Sequence, residues 1–167
     1  MAINDAGAII SECGRYRYVL NRPSEVDFPG RGAALWIMLN PSTADAQTDD
    51  PTIRKCRGFA RTWGCRGIMV ANLYALRSTD PAGLWAVDDP IGPENDRHLQ
   101  AIAGVFPEVI FAFGNNAPVA RVAEVERIFR GQGAKIWCLG TTLSGAPRHP
   151  GRIGYQTPLE EWPGVLR

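Results

Sequence analysis

The chain is short of the residues that small proteins use in place of a core. It has only four cysteines in 167 residues, Cys13, Cys56, Cys65 and Cys138, and no two of them form a C-x-x-C pair. That spacing argues against structural zinc or an iron–sulfur cluster, and three of the four lie inside apolar patterns, as reduced core thiols do. No apolar run is long enough to cross a bilayer. The N-terminus also lacks a basic segment followed by an apolar core, so a cytoplasmic protein without membrane contact is expected. Net charge is scarce too: the formal value is +1, which excludes a uniformly basic nucleic-acid coat but leaves room for a local patch. Of the 18 basic residues only Lys55 and Lys135 are lysines. Arginine is the better bidentate partner for phosphate, although codon usage rich in G and C gives the same enrichment.

What is present is a core: 45% of residues are hydrophobic, enough for one soluble domain over residues 1–167 with no disulfide or metal. The most informative run is Leu35-Trp36-Ile37-Met38-Leu39, which stops at Asn40-Pro41 and turns polar. A buried parallel strand reads this way, and Pro41 cannot continue a ladder. The pattern recurs. Gly67 to Ala71 ends in Asn72, Val109 to Phe113 ends in Gly114-Asn115-Asn116, and Lys135 to Leu139 ends in Gly140 and a loop carrying His149. Strands are therefore expected near 34–39, 67–71, 109–113 and 135–139. In open α/β sheets the carboxyl ends of strands gather the ligand site, so Asn40, Asn72, Asn115 and His149 should line one pocket.

Between the strands, Asp50-Pro51 has the form of a helix N-cap followed by a first-turn proline. Ile53, Cys56, Ala60 and Trp63 share one face of this helix, and Arg54, Arg57 and Arg61 form a stripe on another that could follow a phosphate backbone or simply meet solvent. A second helix should open at Gly92-Pro93-Glu94-Asn95, burying Leu99 and Ile102. A third should run from Asn116-Ala117-Pro118 to Gly131, burying Val122, Val125 and Phe129. Arg15 to Asn21 reads as an antiparallel edge strand and Arg22 to Arg31 as a loop. Strands alternating with helices give a largely parallel sheet covered on both faces. Trp36, Trp63 and Trp137 fall on core-facing segments, whereas Phe113 and Tyr74 lie closer to strand exits and are better placed to stack on a base.

The ordered set Leu39-Asn40-Pro41-Ser42, Val70-Ala71-Asn72-Leu73, Val109-Ile110-Phe111-Ala112-Phe113-Gly114 and the loop ending in His149-Pro150 resembles the motifs of the uracil-DNA glycosylase superfamily. The strings Met38-Leu39-Asn40-Pro41-Ser42-Thr43-Ala44-Asp45, Asp49-Asp50-Pro51-Thr52 and Gly92-Pro93-Glu94-Asn95-Asp96 resemble a bacterial and phage family catalogued as domain of unknown function 1643, across most of the chain. With the βα alternation, the glycosylase resemblance implies a three-layer αβα fold. Its sheet would have four parallel strands in the order 2-1-3-4, with an N-terminal edge strand added.

The same resemblance implies roles. Asn40 would orient an attacking water, Asn72 would read the Watson–Crick edge of a base, and His149 would stabilise the departing base, with Arg148 and Arg152 as phosphate contacts. Departures from the superfamily pattern are that Asn40 stands where the most active branch has a carboxylate, no Tyr-His pair follows Pro41, and Gly151-Arg152 replaces Ser-Pro. Three functions remain open: an N-glycosylase acting on a nucleobase in DNA or on a modified nucleotide, a non-catalytic nucleic-acid or nucleotide binding module, and a metal-assisted phosphoryl hydrolase using Asp45, Asp49 and Asp50. The first needs neither metal nor cofactor, and its partner is DNA or a nucleotide.

Overall fold

The computed structural model describes residues 7–26, 29–45 and 47–165. Its centre is the run singled out above: β3 (Ala34–Met38) is buried throughout, because the sheet continues on both sides of it and helices cover both faces. β3 pairs in parallel with β4 (Gly67–Asn72) and with β5 (Glu108–Phe111), and β5 pairs in parallel with β6 (Lys135–Cys138). α1 (Pro51–Thr62) covers one face with Ile53, Cys56, Phe59 and Ala60, against Trp36, Met38, Ile68 and Val70. α2 (Asn95–Ala103) and α3 (Val119–Gly131) cover the other with Leu99, Ile102, Val122, Val125 and Phe129. All four cysteines are free thiols, with only Cys13 exposed. Among the described residues no helix is long and apolar enough to cross a membrane.

The expected four-stranded parallel sheet of order 2-1-3-4 with one N-terminal edge strand is overturned. The sheet is mixed and has seven strands among the described residues, in the order β1-β2-β4-β3-β5-β6-β7. β1 (Gly7–Ile10) and β2 (Arg17–Pro23) extend one side antiparallel, and β7 (Glu160–Glu161) closes the other, antiparallel to β6. β2 is therefore not an edge strand. Its first six residues are buried, since β1 and β4 flank it, and its alternation of polar with apolar residues hides arginines rather than exposing them. β1 has four residues and β7 two, too short for a periodicity to register. Arg22 and Pro23, expected in a loop, end β2; Asp27 and Phe28 of that loop lie outside the described residues.

Arg22 explains why β2 can carry buried charge. Its Nε meets Asp49 Oδ1 at 2.6 Å, and Arg57 NH1 meets Asp49 Oδ2 at 2.8 Å, so one carboxylate is shared by two guanidiniums. A further Arg22 nitrogen donates to the Asp45 carbonyl, and Arg57 also pairs with Glu25 at 2.6 Å. This network ties the β3–α1 loop to β2. Burial raises the Asp49 pKa, and hydrogen bonds from Arg57 and Arg22 more than reverse that, leaving it below the usual carboxylate range. Replacing Asp49 by alanine leaves Arg22 buried without a counter-charge, and urea denaturation should register a loss of about 3–5 kcal/mol. A loss below about 1 kcal/mol, the scale of an exposed pair, would contradict this account.

Candidate functional site

Asn40, two residues past β3, lines a cavity of about 880 Å³ at the carboxyl ends of the parallel strands. Its Nδ2 donates to the carbonyls of Pro41 and Ser78, each at 2.9 Å, and Ser78 N–H returns a bond to the Pro41 carbonyl at 2.9 Å. Two carbonyl acceptors fix the orientation of the amide, because its oxygen could not bond to either. Oδ1 is then a held acceptor without a protein donor among the described residues.

β4 delivers Asn72 to the same cavity. Its backbone is anchored from the opposite face: Asn95 Nδ2 donates to the Asn72 and Leu73 carbonyls at 3.0 and 3.1 Å, and Arg121 Nε donates to Leu73 at 2.9 Å. Arg121 is in turn paired with Asp96 at 2.5 Å. Asn72 is 1% exposed, and its Nδ2 has no partner among the described residues. Buried amide nitrogens are nearly always bonded, which makes this one unusual in the cavity wall.

The third wall is the β6–β7 connection. Gly114, at φ +71°, turns the chain out of β5, and its N–H donates to the Pro147 carbonyl at 2.9 Å, while Arg148 N–H donates to Gly140 at 3.0 Å. Asn115 Oδ1 accepts from Thr142 Oγ1 at 2.6 Å and Ser144 Oγ at 2.8 Å. Asn115 is thus a clasp for this loop as well as part of the wall. The segment after His149 docks on α1, where Tyr155 packs edge-on to Phe59 at 5.0 Å and Lys55 Nζ lies 4.1 Å from the Tyr155 ring centre. Gly58 permits this: a Cβ there would sit 2.4 Å from the Tyr155 hydroxyl.

His149 Nδ1 accepts from Gly151 N–H at 3.1 Å. In the neutral ring the proton must then sit on Nε2, making that nitrogen a donor. The residue is exposed at the cavity mouth, yet partial loss of water around the ring holds its pKa below the ordinary histidine value, with the Asp50 carboxylate pulling the other way. The shift favours the neutral ring.

Asn40, Asn72, Phe113, Asn115, Arg148, His149 and Arg152 all line this cavity. Phe113 is 5% exposed and packs against Phe111 and Trp162, so it is wall rather than a free stacking platform. Tyr74 does not line the cavity; it belongs to the core on the α2–α3 face, edge-on to Trp85 at 5.4 Å. Arg54, Arg57 and Arg61 also lie off the cavity. Arg54 donates to the Asp49 carbonyl at 2.7 Å, Arg57 is in the Asp49 network, and Arg61 borders a groove beside Pro23 to Val26. The aspartates of the metal alternative are each engaged elsewhere: Asp45 caps Gln47 and Thr48, Asp49 holds two arginines, and Asp50 accepts from Ile53 N–H at 2.9 Å.

Arg17 is a cavity residue that the sequence reading missed; it is 2% exposed and was hidden by taking β2 for an edge. The hydroxyls of Ser42, Thr52, Ser78 and Thr142 were missed as well. Asp50, expected as a helix cap and in the metal alternative, is the one carboxylate of the wall among the described residues. A second cavity, about 610 Å³ at the opposite edge of the sheet, is lined by apolar groups such as Leu35, Trp63, Val105 and Trp137. It lacks convergent polar side chains, since Arg31 and Glu108 at its rim pair with each other at 2.6 Å.

The lowered His149 pKa has a consequence for stability. Below about pH 6.5 the unfolded histidine binds a proton that the folded one resists, so stability falls as pH drops from there toward the folded value. His98 is shifted the same way, by burial and Arg97. Thermal melts between pH 8 and 5 should therefore show a decline that is shallower, but not abolished, in His149→Gln. An unchanged slope would mean that His149 is not desolvated.

Searches of curated proteins and of solved structures return no match to this chain. The sequence profile of one family, described as Protein of unknown function (DUF1643), matches residues 17–151, a span that runs from the buried arginine of β2 to the residue that bonds His149. The chain belongs to that family.

Proposed function

We propose that the cavity binds a nucleobase, carried on DNA or within a nucleotide, and that the site hydrolyses its N-glycosidic bond. The observation that carries this reading is the Asn72 carboxamide, buried in the cavity wall with its Nδ2 unbonded. A buried donor left unmet costs about 1–3 kcal/mol, and a base edge offers an acceptor with donors beside it. The similarity of the strand-exit motifs to the uracil-DNA glycosylase superfamily supports the same chemistry.

Breaking the bond sends its electron pair to the base and leaves positive charge on the sugar. His149 Nε2–H is a neutral donor for the negative charge that develops on the base, and it keeps that form because protonation is disfavoured. Asp50 supplies the negative field that favours the sugar cation. Asn40 Oδ1 accepts a hydrogen bond from the water that adds to the sugar carbon, and the water's released proton passes to the departed base. Asn40 orients and does not take the proton, as a carboxylate would.

The test is release of free base, and of abasic product from duplexes, with protein in excess over substrates carrying uracil, hypoxanthine or modified pyrimidines. Asn40→Ala should reduce turnover by about 100-fold with binding nearly unchanged, because water positioning acts in the transition state. His149→Ala should reduce it comparably. No base release from any substrate, with binding retained, would overturn hydrolysis and leave a nucleobase-binding module.

A further inference from the structure

Arg17 is the feature of the cavity that base recognition leaves unused. It enters from β2, its N–H bonds to the Ala75 carbonyl at 2.9 Å, and one guanidinium nitrogen donates to the Ala44 carbonyl. Its Nε is buried with no partner, and no carboxylate pairs with it among the described residues. Burial lowers its pKa to about 10, with Arg77 and Arg22 acting in the same direction and Asp50 and Asp45 opposing, so it is still a cation at neutral pH. Contrast Arg22, five residues further along the same strand, whose charge is met by Asp49 at 2.6 Å. Arg22 spends its charge on an acid; Arg17 helps to hold the loop through a carbonyl and keeps its charge beside the cavity.

The wall as a whole is cationic. Among the described residues Arg17, Arg148 and Arg152 line it against the single carboxylate of Asp50, which is already engaged as the α1 cap. The hydroxyls of Ser42 and Thr52 lie in the same wall. We infer that Arg17 holds the terminal phosphate of a free nucleoside monophosphate, so that the substrate class is a small nucleotide rather than duplex DNA. This rests on the nucleobase reading of the same cavity. Arg17 is 2% exposed and lines the cavity from its inner wall. A phosphate at the end of a molecule can enter and stop there, whereas a phosphodiester inside a strand must have chain leading both in and out. The external arginine stripe that would follow a duplex is largely engaged by Asp49 and Glu25. Asp50 also acts electrostatically on both Arg17 and His149, as a group near the sugar would when phosphate and base lie to either side.

The test uses the unaltered protein. Calorimetric titrations compare a set of nucleosides, their 5′-monophosphates, the methyl esters of those monophosphates, ribose 5-phosphate and a duplex carrying the same base. For any base that binds, the monophosphate should bind about 10- to 100-fold more tightly than its nucleoside, the scale of a charge-assisted hydrogen bond. The methyl ester, a diester like the DNA chain, should lose most of that gain. Monophosphate affinity should also rise with pH through about 6, where the second phosphate proton leaves. Arg17→Met should bring the monophosphate down to its nucleoside; if that variant does not fold, the ester and pH comparisons decide alone. Equal binding of nucleoside and monophosphate, or tighter binding of the duplex than of the monophosphate, overturns the inference while the base reading stands. Ribose 5-phosphate binding as tightly as the nucleotides supports the phosphate site and overturns the base reading. Binding of none of these probes overturns both.

Discussion

Two arginines on one strand hold the β3–α1 loop in place, and the site depends on that loop. Arg17 reaches the Ala44 carbonyl and Arg22 reaches the Asp45 carbonyl and the Asp49 carboxylate, so the segment between Asn40 and Pro51 is fastened to β2 at three points. Loop backbone without regular partners needs such donors, because a buried carbonyl left unbonded is costly. The carbonyl clamp on Asn40 and the start of α1 then follow from where the loop is set down. β2 pairs with β4 rather than with β3, so the loop spans strands that are not sequential and is fixed by side chains instead of by a hairpin.

The same two guanidiniums separate architecture from chemistry. Moving a charged group out of water is costly unless a partner meets it, and Arg22 is met by an acid whose second oxygen is shared with Arg57. Arg17 is equally enclosed, yet its guanidinium meets a carbonyl and no acid among the described residues. On β4, the Asn72 Nδ2 is unbonded, whereas Asn95 spends its Nδ2 on two backbone carbonyls. Buried polar atoms without a partner also lie away from the cavity, at Asn95 Oδ1 and the indole nitrogens of Trp36 and Trp162; what distinguishes Asn72 and Arg17 is that both stand in the cavity wall.

How much of this was legible in the sequence follows from which signals are local. Asn40, Asn72 and His149 could be placed together because each follows an apolar run, and the direction of parallel strands sends all their exits to one edge. The end of α1 that faces the cavity was likewise readable from Asp50-Pro51. The sheet's full extent was not. β2 looked half-polar because its arginines were counted as solvent-facing, and only the pairing with β1 and β4 shows that they are buried. Arg54, Arg57 and Arg61 were misleading in the opposite sense: their spacing is that of an exposed stripe, but Asp49, just before the helix, engages Arg54 and Arg57, and Glu25, far back in the sequence, also reaches Arg57. Tyr74 lies two residues past Asn72 on β4's continuation, yet the chain turns its ring into the α2–α3 core.

An asparagine where a carboxylate would be the stronger activator constrains the proposed hydrolysis in a definite way. A carboxamide can align a water but cannot accept its proton, so little bond formation to water can precede departure of the base. The reaction must then be driven from the leaving-group side, through the His149 donor and through whatever makes the base anion stable. An unfavourable water step is tolerable when the sugar cation is already well formed, and the lone carboxylate of the wall, Asp50, provides the field that such a cation requires. A dissociative path also gives a small-nucleotide substrate an advantage: a phosphate held at Arg17 fixes the sugar while the base moves away, so binding energy remote from the reacting carbon restrains the part of the substrate that must not move.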